Sequence, residues 1–284
     1  MSGSGTAAAP RQAPPHAVVT GAASGIGAAV AAELASHGWR ITGVDLRADA
    51  LRTTLDALRE RYGVPVTALA GDLADPDFPA GAVDRAWAAA PVDGLVNAAG
   101  IYPAIPFAEL TAASWDRVQH INVRAALLAT QRLARHAVAA GRTPAVVNIA
   151  SGAARRARPG AAHYATSKAA LVMATKAAAV ELGGHGIRVN SVSPGFVAVA
   201  SPVNPVTPAY AAAVSGSLLP GPADPAHIAS AVRFLLGDGA AWITGADLPV
   251  DGGSSAGTTA LPQHWPAPTD WQRDPRPLLD EGTS

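Results

Sequence analysis

Apolar residues in this chain follow two rhythms. Short runs rich in Val, Ile, Ala and Thr have the length and the flanking turn residues of buried strands: AVVT at 17–20, RITGVD at 40–45, VPVTALAGD at 64–72, DGLVNAAG at 93–100, AVVNIAS at 145–151, IRVNSVSPG at 187–195 and ADLPVD at 246–251. Longer amphipathic stretches separate them and predict helices at about 25–37, 48–61, 80–89, 111–140, 163–182 and 225–236, with Thr111 as an N-cap. Strand and helix in alternation are the mark of βαβ units. They predict an α/β fold built on a parallel sheet.

The pattern lapses in three places. Residues 1–15 are small, polar and proline-bearing, cannot bury apolar surface, and read as a disordered lead-in to a fold that starts near His16. Prolines crowd 198–222, which predicts a mobile loop with one short helix around 208–217. Residues 254–284 are proline-rich and without period, the composition of an extended tail. Trp265 and Trp271 are costly to leave in water, however, so this tail either docks over an active site, its own or a neighbour's, or stays loosely packed. What remains, residues 16–253, suits one large α/β domain.

Composition narrows the function. Lysine plus arginine and aspartate plus glutamate are equal at 21 each, so global charge favours neither nucleic acid nor an anionic membrane surface. The absence of cysteine excludes disulfides, iron–sulfur ligation, thiolate zinc sites and cysteine nucleophiles, and suits an intracellular protein. The first residues lack the basic start and apolar run of a signal peptide, and no apolar stretch reaches the ~20 residues that span a bilayer. A cytoplasmic location is expected.

Two features carry chemistry. The run Thr20-Gly21-Ala22-Ala23-Ser24-Gly25-Ile26-Gly27 follows a predicted strand and opens a predicted helix, the context in which backbone N–H groups and a helix N-terminus face a pyrophosphate. Elsewhere such a run is only a tight turn. Downstream, Tyr164 and Lys168 of YATSK stand four residues apart, which on a helix puts a phenol and an ammonium within roughly 40° of each other. A neighbouring ammonium favours the phenolate and pulls a phenol below its usual pKa of ~10. A tyrosine so tuned can trade a proton with a hydroxyl or carbonyl while a hydride moves between that carbon and a cofactor.

With TGAASGIG, NAAG at 97–100, Ser151, YATSK and SPG at 193–195 in this order, the sequence resembles the short-chain dehydrogenase/reductase family over residues 16–253. The resemblance implies a single Rossmann-like, doubly wound parallel sheet flanked by helices. It also implies NAD(H) or NADP(H) as cofactor without metal, a small-molecule substrate, and a homotetramer or homodimer. By the same resemblance Tyr164 is the general acid/base, Lys168 lowers its pKa and holds the nicotinamide ribose, and Ser151 hydrogen-bonds the substrate oxygen. Asn122 in HINVRA lends its backbone to a water that relays protons to Lys168.

Cofactor contacts carry over to Gly21, Ser24, Gly25, Ile26, Gly27, Asp45, Leu46, Asp72, Leu73, Asn97, Ala98, Tyr164, Lys168, Pro194 and Val197. Asp45 ends the second predicted strand eighteen residues after Gly27, where a carboxylate accepts from ribose hydroxyls and repels a 2′-phosphate. Ser24 stands where NADP-preferring members often carry a basic residue, so NAD is the expected cofactor and NADP the lesser alternative. Arg47, two positions on, reads as a solvated charge at a loop edge, the one feature that softens this preference. Asp72 either accepts from the adenine amino group or caps the following turn. Asn97 can tie strand ends together. Position 199 is valine where the family often has a threonine that reaches the carboxamide, and Ser201 is a candidate substitute.

Substrate identity is less legible. Ile101, Tyr102, Ala153, His163, Phe196 and the 198–219 segment make an apolar set that favours an apolar secondary alcohol or ketone. Arg155, Arg156 and Arg158 follow the serine and read either as a solvated basic loop or as a grip for a carboxylate, a phosphopantetheine or an acidic carrier protein. His163 is either a substrate contact or a residue without a role. The expected activity is NAD(H)-dependent interconversion of a secondary alcohol and a ketone. The alternatives are a 3-oxoacyl-thioester reductase, reduction of an imine or ring C=C bond, and a non-catalytic nucleotide-binding scaffold on the same fold.

Overall fold

A computed structural model describes residues 13–197, 217–220 and 223–258. Residues 1–12, the segment around the short helix expected near 208–217, Val199, Ser201 and the tail with Trp265 and Trp271 lie wholly or almost wholly outside the described residues. Among these residues seven strands form one sheet: β1 (His16–Thr20), β2 (Arg40–Asp45), β3 (Val66–Ala70), β4 (Gly94–Asn97), β5 (Ala145–Ile149), β6 (Arg188–Pro194) and β7 (Asp247–Val250). Every pairing is parallel, in the order β3-β2-β1-β4-β5-β6-β7. The helices are α1 (Gly25–Ser36), α2 (Ala48–Tyr62), α3 (Phe78–Ala89), α4 (Ala112–Gln119), α5 (Ala125–Ala139), α6 (Ala162–Leu182) and α7 (Pro225–Leu236).

The inner strands are apolar at nearly every position because both faces of the sheet are covered. Side chains alternate between the layers: Ala17, Val19 and Val147 pack with Val30 and Leu34 of α1, Leu51 and Leu55 of α2, and Ile228 and Leu235 of α7. Val18, Leu95 and Val146 pack instead with Val83 and Ala86 of α3 and Leu133 and Ala137 of α5. Each Val, Leu or Ile side chain so withdrawn from water contributes about 1.5–3 kcal/mol, and together these two layers hold the sheet between its helices.

The chain builds outward from β1 through β2 to β3, then returns to place β4 on the other side of β1. That reversal opens a crevice beyond the carboxyl ends of β1 and β4. One predicted element differs from the structure. The helix expected over 111–140 is interrupted: α4 ends at Gln119, His120–Arg124 form a π-helical turn, and α5 resumes at Ala125. Its start is as expected, with Thr111 accepting from the Ser114 N–H and its own N–H donating to Ser114 Oγ, both at 3.2 Å. Among the described residues no helix is long and apolar enough to cross a membrane.

Candidate active site

The crevice begins at Thr20, whose Oγ1 accepts from the backbone N–H groups of Ala98 and Ala99 at 3.0 and 3.1 Å, joining the end of β1 to the segment after β4. Gly21 then turns with φ of 71°, and a Cβ there would stand 3.0 Å from the Ala99 backbone. Gly25 opens α1 with φ of 57°. A Cβ on Gly27 would lie 2.2 Å from the Gly21 carbonyl oxygen, so only glycine lets the first turn of α1 press against the strand end. Ser24 is the N-cap of α1 but makes no side-chain cap bond. This leaves the first N–H groups of α1 to the crevice, and the cradle fits a pyrophosphate.

Asp45, only 8% exposed, lies at the adjoining end of β2. Its Oδ2 accepts from the Ala23 N–H at 3.1 Å, tying the glycine turn to β2. Its Oδ1 accepts from the Arg47 N–H at 3.0 Å and from Arg47 Nε at 3.4 Å, and the same guanidinium donates to Ser24 Oγ at 2.7 Å. Arg47 is therefore not the solvated charge expected at a loop edge: it latches Asp45 to Ser24 because the turn brings the two within reach of one planar fork. Leu46 between them is exposed.

At the next strand end, Asp72 Oδ1 accepts from the Ala74 N–H at 2.9 Å and its Oδ2 faces Arg117 at 3.5 Å, so the turn-capping contact is present; Leu73 is buried beside it. Asn97 joins β4 to β5 through Nδ2, which donates to Asn148 Oδ1 at 2.8 Å, while its own buried Oδ1 has no partner. Asn148 continues the chain of amides to Thr175 on α6 at 2.9 Å.

Tyr164, Lys168 and Ser151 meet where β5 ends and α6 begins. Ser151 Oγ accepts from the Ala153 N–H at 3.1 Å and hydrogen-bonds with the Tyr164 phenol. Lys168 is 4% exposed; its Nζ donates to the Ile149 carbonyl at 2.7 Å and lies 5.8 Å from the Tyr164 ring centre. Burial lowers its pKa from the ordinary 10.5 to about 8. Helical spacing led to the expectation of a depressed phenol, but Tyr164 lies above the ordinary tyrosine value. Burial outweighs the two influences that lower it, the Ser151 hydrogen bond and the charge of Arg158, and Tyr102 adds to the rise.

Asn122 sits on the π-helical turn with its side chain fully used: Oδ1 accepts from the Ile101 N–H and Nδ2 donates to the Ile101 carbonyl, each at 2.9 Å, and Nδ2 also donates to Ser167 Oγ at 3.0 Å. A Cβ at Gly100 would be 3.4 Å from both Asn122 Oδ1 and Lys168 Nζ, an ordinary contact distance, so the glycine of NAAG lies directly beside this pair.

Other candidates scatter. Arg155 is bound to Asp247 on β7 at 2.6 Å and Arg156 is exposed, so neither guanidinium is seen at Tyr164. Arg158 lies 5.7 Å from the Tyr164 ring centre, and the Tyr102 ring is tilted against Tyr164 at 5.7 Å. His163 is fully buried, neither ring nitrogen has a partner, and burial lowers its pKa. Ala153 follows Ser151 on a short 3₁₀ turn. Pro194 ends β6, Gly195 donates to the Val250 carbonyl at 3.1 Å, half-buried Phe196 follows, and Val197 pairs with Ala223. Ile26 packs against the core from α1, and Ala98 does so beside Thr20.

A family model described as enoyl-(acyl carrier protein) reductase matches residues 21–255. D-erythrulose reductase of Gallus gallus is 38% identical over 240 residues, which cover 84% of this chain and 94% of that protein. Among solved structures, a blue fluorescent protein from a metagenomic library in complex with NADPH has a TM-score of 0.77 at 35% identity, over 86% of this chain and 98% of the other. 4-Hydroxyisoleucine dehydrogenase complexed with NADH has a TM-score of 0.76 at 27% identity, over 86% and 100%.

Proposed function

The chain belongs to the short-chain dehydrogenase/reductase family and is an oxidoreductase of alcohol and ketone groups, and from that premise we propose that it interconverts a secondary alcohol and a ketone with NAD(H) as preferred cofactor. Gly21, Ser24, Gly25, Ile26 and Gly27 would hold the pyrophosphate, Asp45 and Leu46 the adenosine ribose, and Asp72, Leu73, Asn97 and Ala98 the adenine and its surroundings. Pro194 and Val197 would hold the carboxamide, and Tyr164 and Lys168 the nicotinamide ribose. When bound, the dinucleotide supplies or accepts the hydride.

This chain's residues handle the proton. In alcohol oxidation Tyr164, as phenolate, takes the hydroxyl proton while Ser151 donates to the same oxygen. In ketone reduction the two hydroxyls are already aimed at the oxygen on which charge develops, and Tyr164 gives up its proton. In oxidation Lys168, with the water that the Asn122 backbone would hold, takes the proton from Tyr164 and passes it onward; in reduction the proton stays on the product oxygen and the same groups return one to Tyr164. The observation that carries this reading is the meeting of Ser151, Tyr164 and a buried Lys168 at one strand end.

Asp45 supports NAD(H) because a buried carboxylate repels a 2′-phosphate, although the Arg47 pair offsets part of that charge. The groove between α5 and α6, which includes Leu127, Ala134, Val138, Leu171, Ala178 and Leu182, supports assembly as a homodimer or homotetramer. A thioester reductase is the second reading, supported by the description of the matching family and by exposed Arg156. Absorbance of the reduced dinucleotide during incubation with panels of secondary alcohols, ketones and thioesters, each with NAD(H) and NADP(H), tests both. We expect turnover with an alcohol–ketone pair and a higher kcat/KM with NAD(H). Activity with thioesters alone favours the second reading, and higher kcat/KM with NADP(H) overturns the cofactor assignment.

A further inference from the structure

We propose that Arg158 is a positioning residue for proton transfer, a permanent cation held over the Tyr164 ring that favours its phenolate. The inference rests on the reading of Tyr164 as general acid/base and deepens it. Among the described residues, the charged and titratable groups that meet Tyr164 come from three elements: Lys168 from α6 itself, Arg158 from the loop between β5 and α6, and Tyr102 from the segment after β4. The Ser151 hydroxyl at the end of β5 completes the set. The two cations lie at nearly equal distance from the ring centre, 5.8 Å for Lys168 Nζ and 5.7 Å for the Arg158 guanidinium carbon.

They differ in how long they keep their charge. Lys168, which loses its proton at about 8, is largely neutral by the pH at which a phenol held above its ordinary value ionises. A guanidinium, with a pKa above ~12, stays charged throughout. A cation over the face of an aromatic ring is attracted by its electron density, and phenolate holds more of it than phenol.

The loop is built to keep Arg158 in place. Arg155 pins it to Asp247, whose other oxygen accepts from Ser191 and Ser193 at 2.8 Å each. Farther on, the Gly160 carbonyl accepts from the Ile105 N–H at 2.9 Å, and Gly160 turns the chain with φ of 71°. Arg158 stands between these anchors, half-buried, with its carbonyl bonded by the Ala161 N–H at 3.3 Å.

The test needs no substrate. Phenolate absorbance titrated with NAD⁺ bound, taken as the difference between each protein and its Tyr164→Phe counterpart, isolates the ionisation of Tyr164. We expect Arg158→Gln to raise the midpoint by about one pH unit, a tenfold change in the equilibrium, and Arg158→Met, equally uncharged but of different chemistry, to raise it by the same amount, with the far-ultraviolet circular dichroism of both unchanged. An unmoved midpoint in Arg158→Gln overturns the proposal, as do unequal shifts in the two neutral variants, which point to packing rather than charge. Failure of the underlying reading looks different: Tyr164→Phe would retain turnover, whatever Arg158 does to the titration.

Discussion

At Lys168, the role proposed for it and the stability of the fold pull against each other. Its ammonium is held in a site that is 4% exposed, where burial brings its pKa from 10.5 to about 8. Between those two values the unfolded chain keeps a proton that the folded chain has released, so this group makes folding more favourable as pH rises through the window and penalises it below. Lys168→Met removes the slope along with the charge. We expect the stability of the wild type relative to Lys168→Met, measured by denaturant unfolding, to rise by roughly 2 kcal/mol from pH 8 to pH 10. Parallel pH dependences would contradict the buried ammonium. Tyr164, Lys168, Ser151 and Asp45 were legible as residues because motif spacing along a helix or at a strand end is a local property. Arg47 and Arg158 were legible as residues but not in their contacts: the first reaches Ser24, 23 positions away, through a turn whose geometry no spacing records, and the second lies over Tyr164 in a loop whose Arg155 is held by Asp247.

Among the elements, α1 and the π-helical turn do most to shape the site. Gly27 lets α1 begin against the strand end, and its would-be Cβ meets a backbone oxygen at 2.2 Å, which cannot be relieved by rotating a side chain. Gly27→Ala is expected to cost about 1–3 kcal/mol, lowering the thermal midpoint by several degrees, and to weaken dinucleotide binding measured by fluorescence titration. Unchanged stability and affinity would show that the close approach is not needed. The glycine run announced this turn because its neighbours, a strand before and a helix after, were readable. The π-helical turn at His120–Arg124 escaped notice because a single widened turn barely disturbs the apolar period of a long helix. It nonetheless carries Asn122, bonded on both sides of its amide to Ile101.

For the whole molecule, alternating strands and helices were enough to expect a parallel sheet, the family resemblance added helices flanking it, and the two core layers on its faces are seen in the structure. Periodicity does not say on which side of β1 the fourth strand will lie, so the order of the sheet, and with it the crevice, came from the structure. The crevice brings the glycine turn, Asp45 and the Ser151–Tyr164–Lys168 group to the carboxyl edge of one sheet, although their positions span residues 20 to 168. That convergence supports a single account, in which the first half of the sheet binds a dinucleotide and the second moves a proton beside it. The most direct measurement is a comparison of wild type and Tyr164→Phe in two assays, turnover of an alcohol–ketone pair and reduced-dinucleotide binding by fluorescence. The account predicts that Tyr164→Phe loses turnover by at least about a thousandfold and keeps its affinity for the reduced dinucleotide within a few-fold. A variant that turns over at close to the wild-type rate would contradict it.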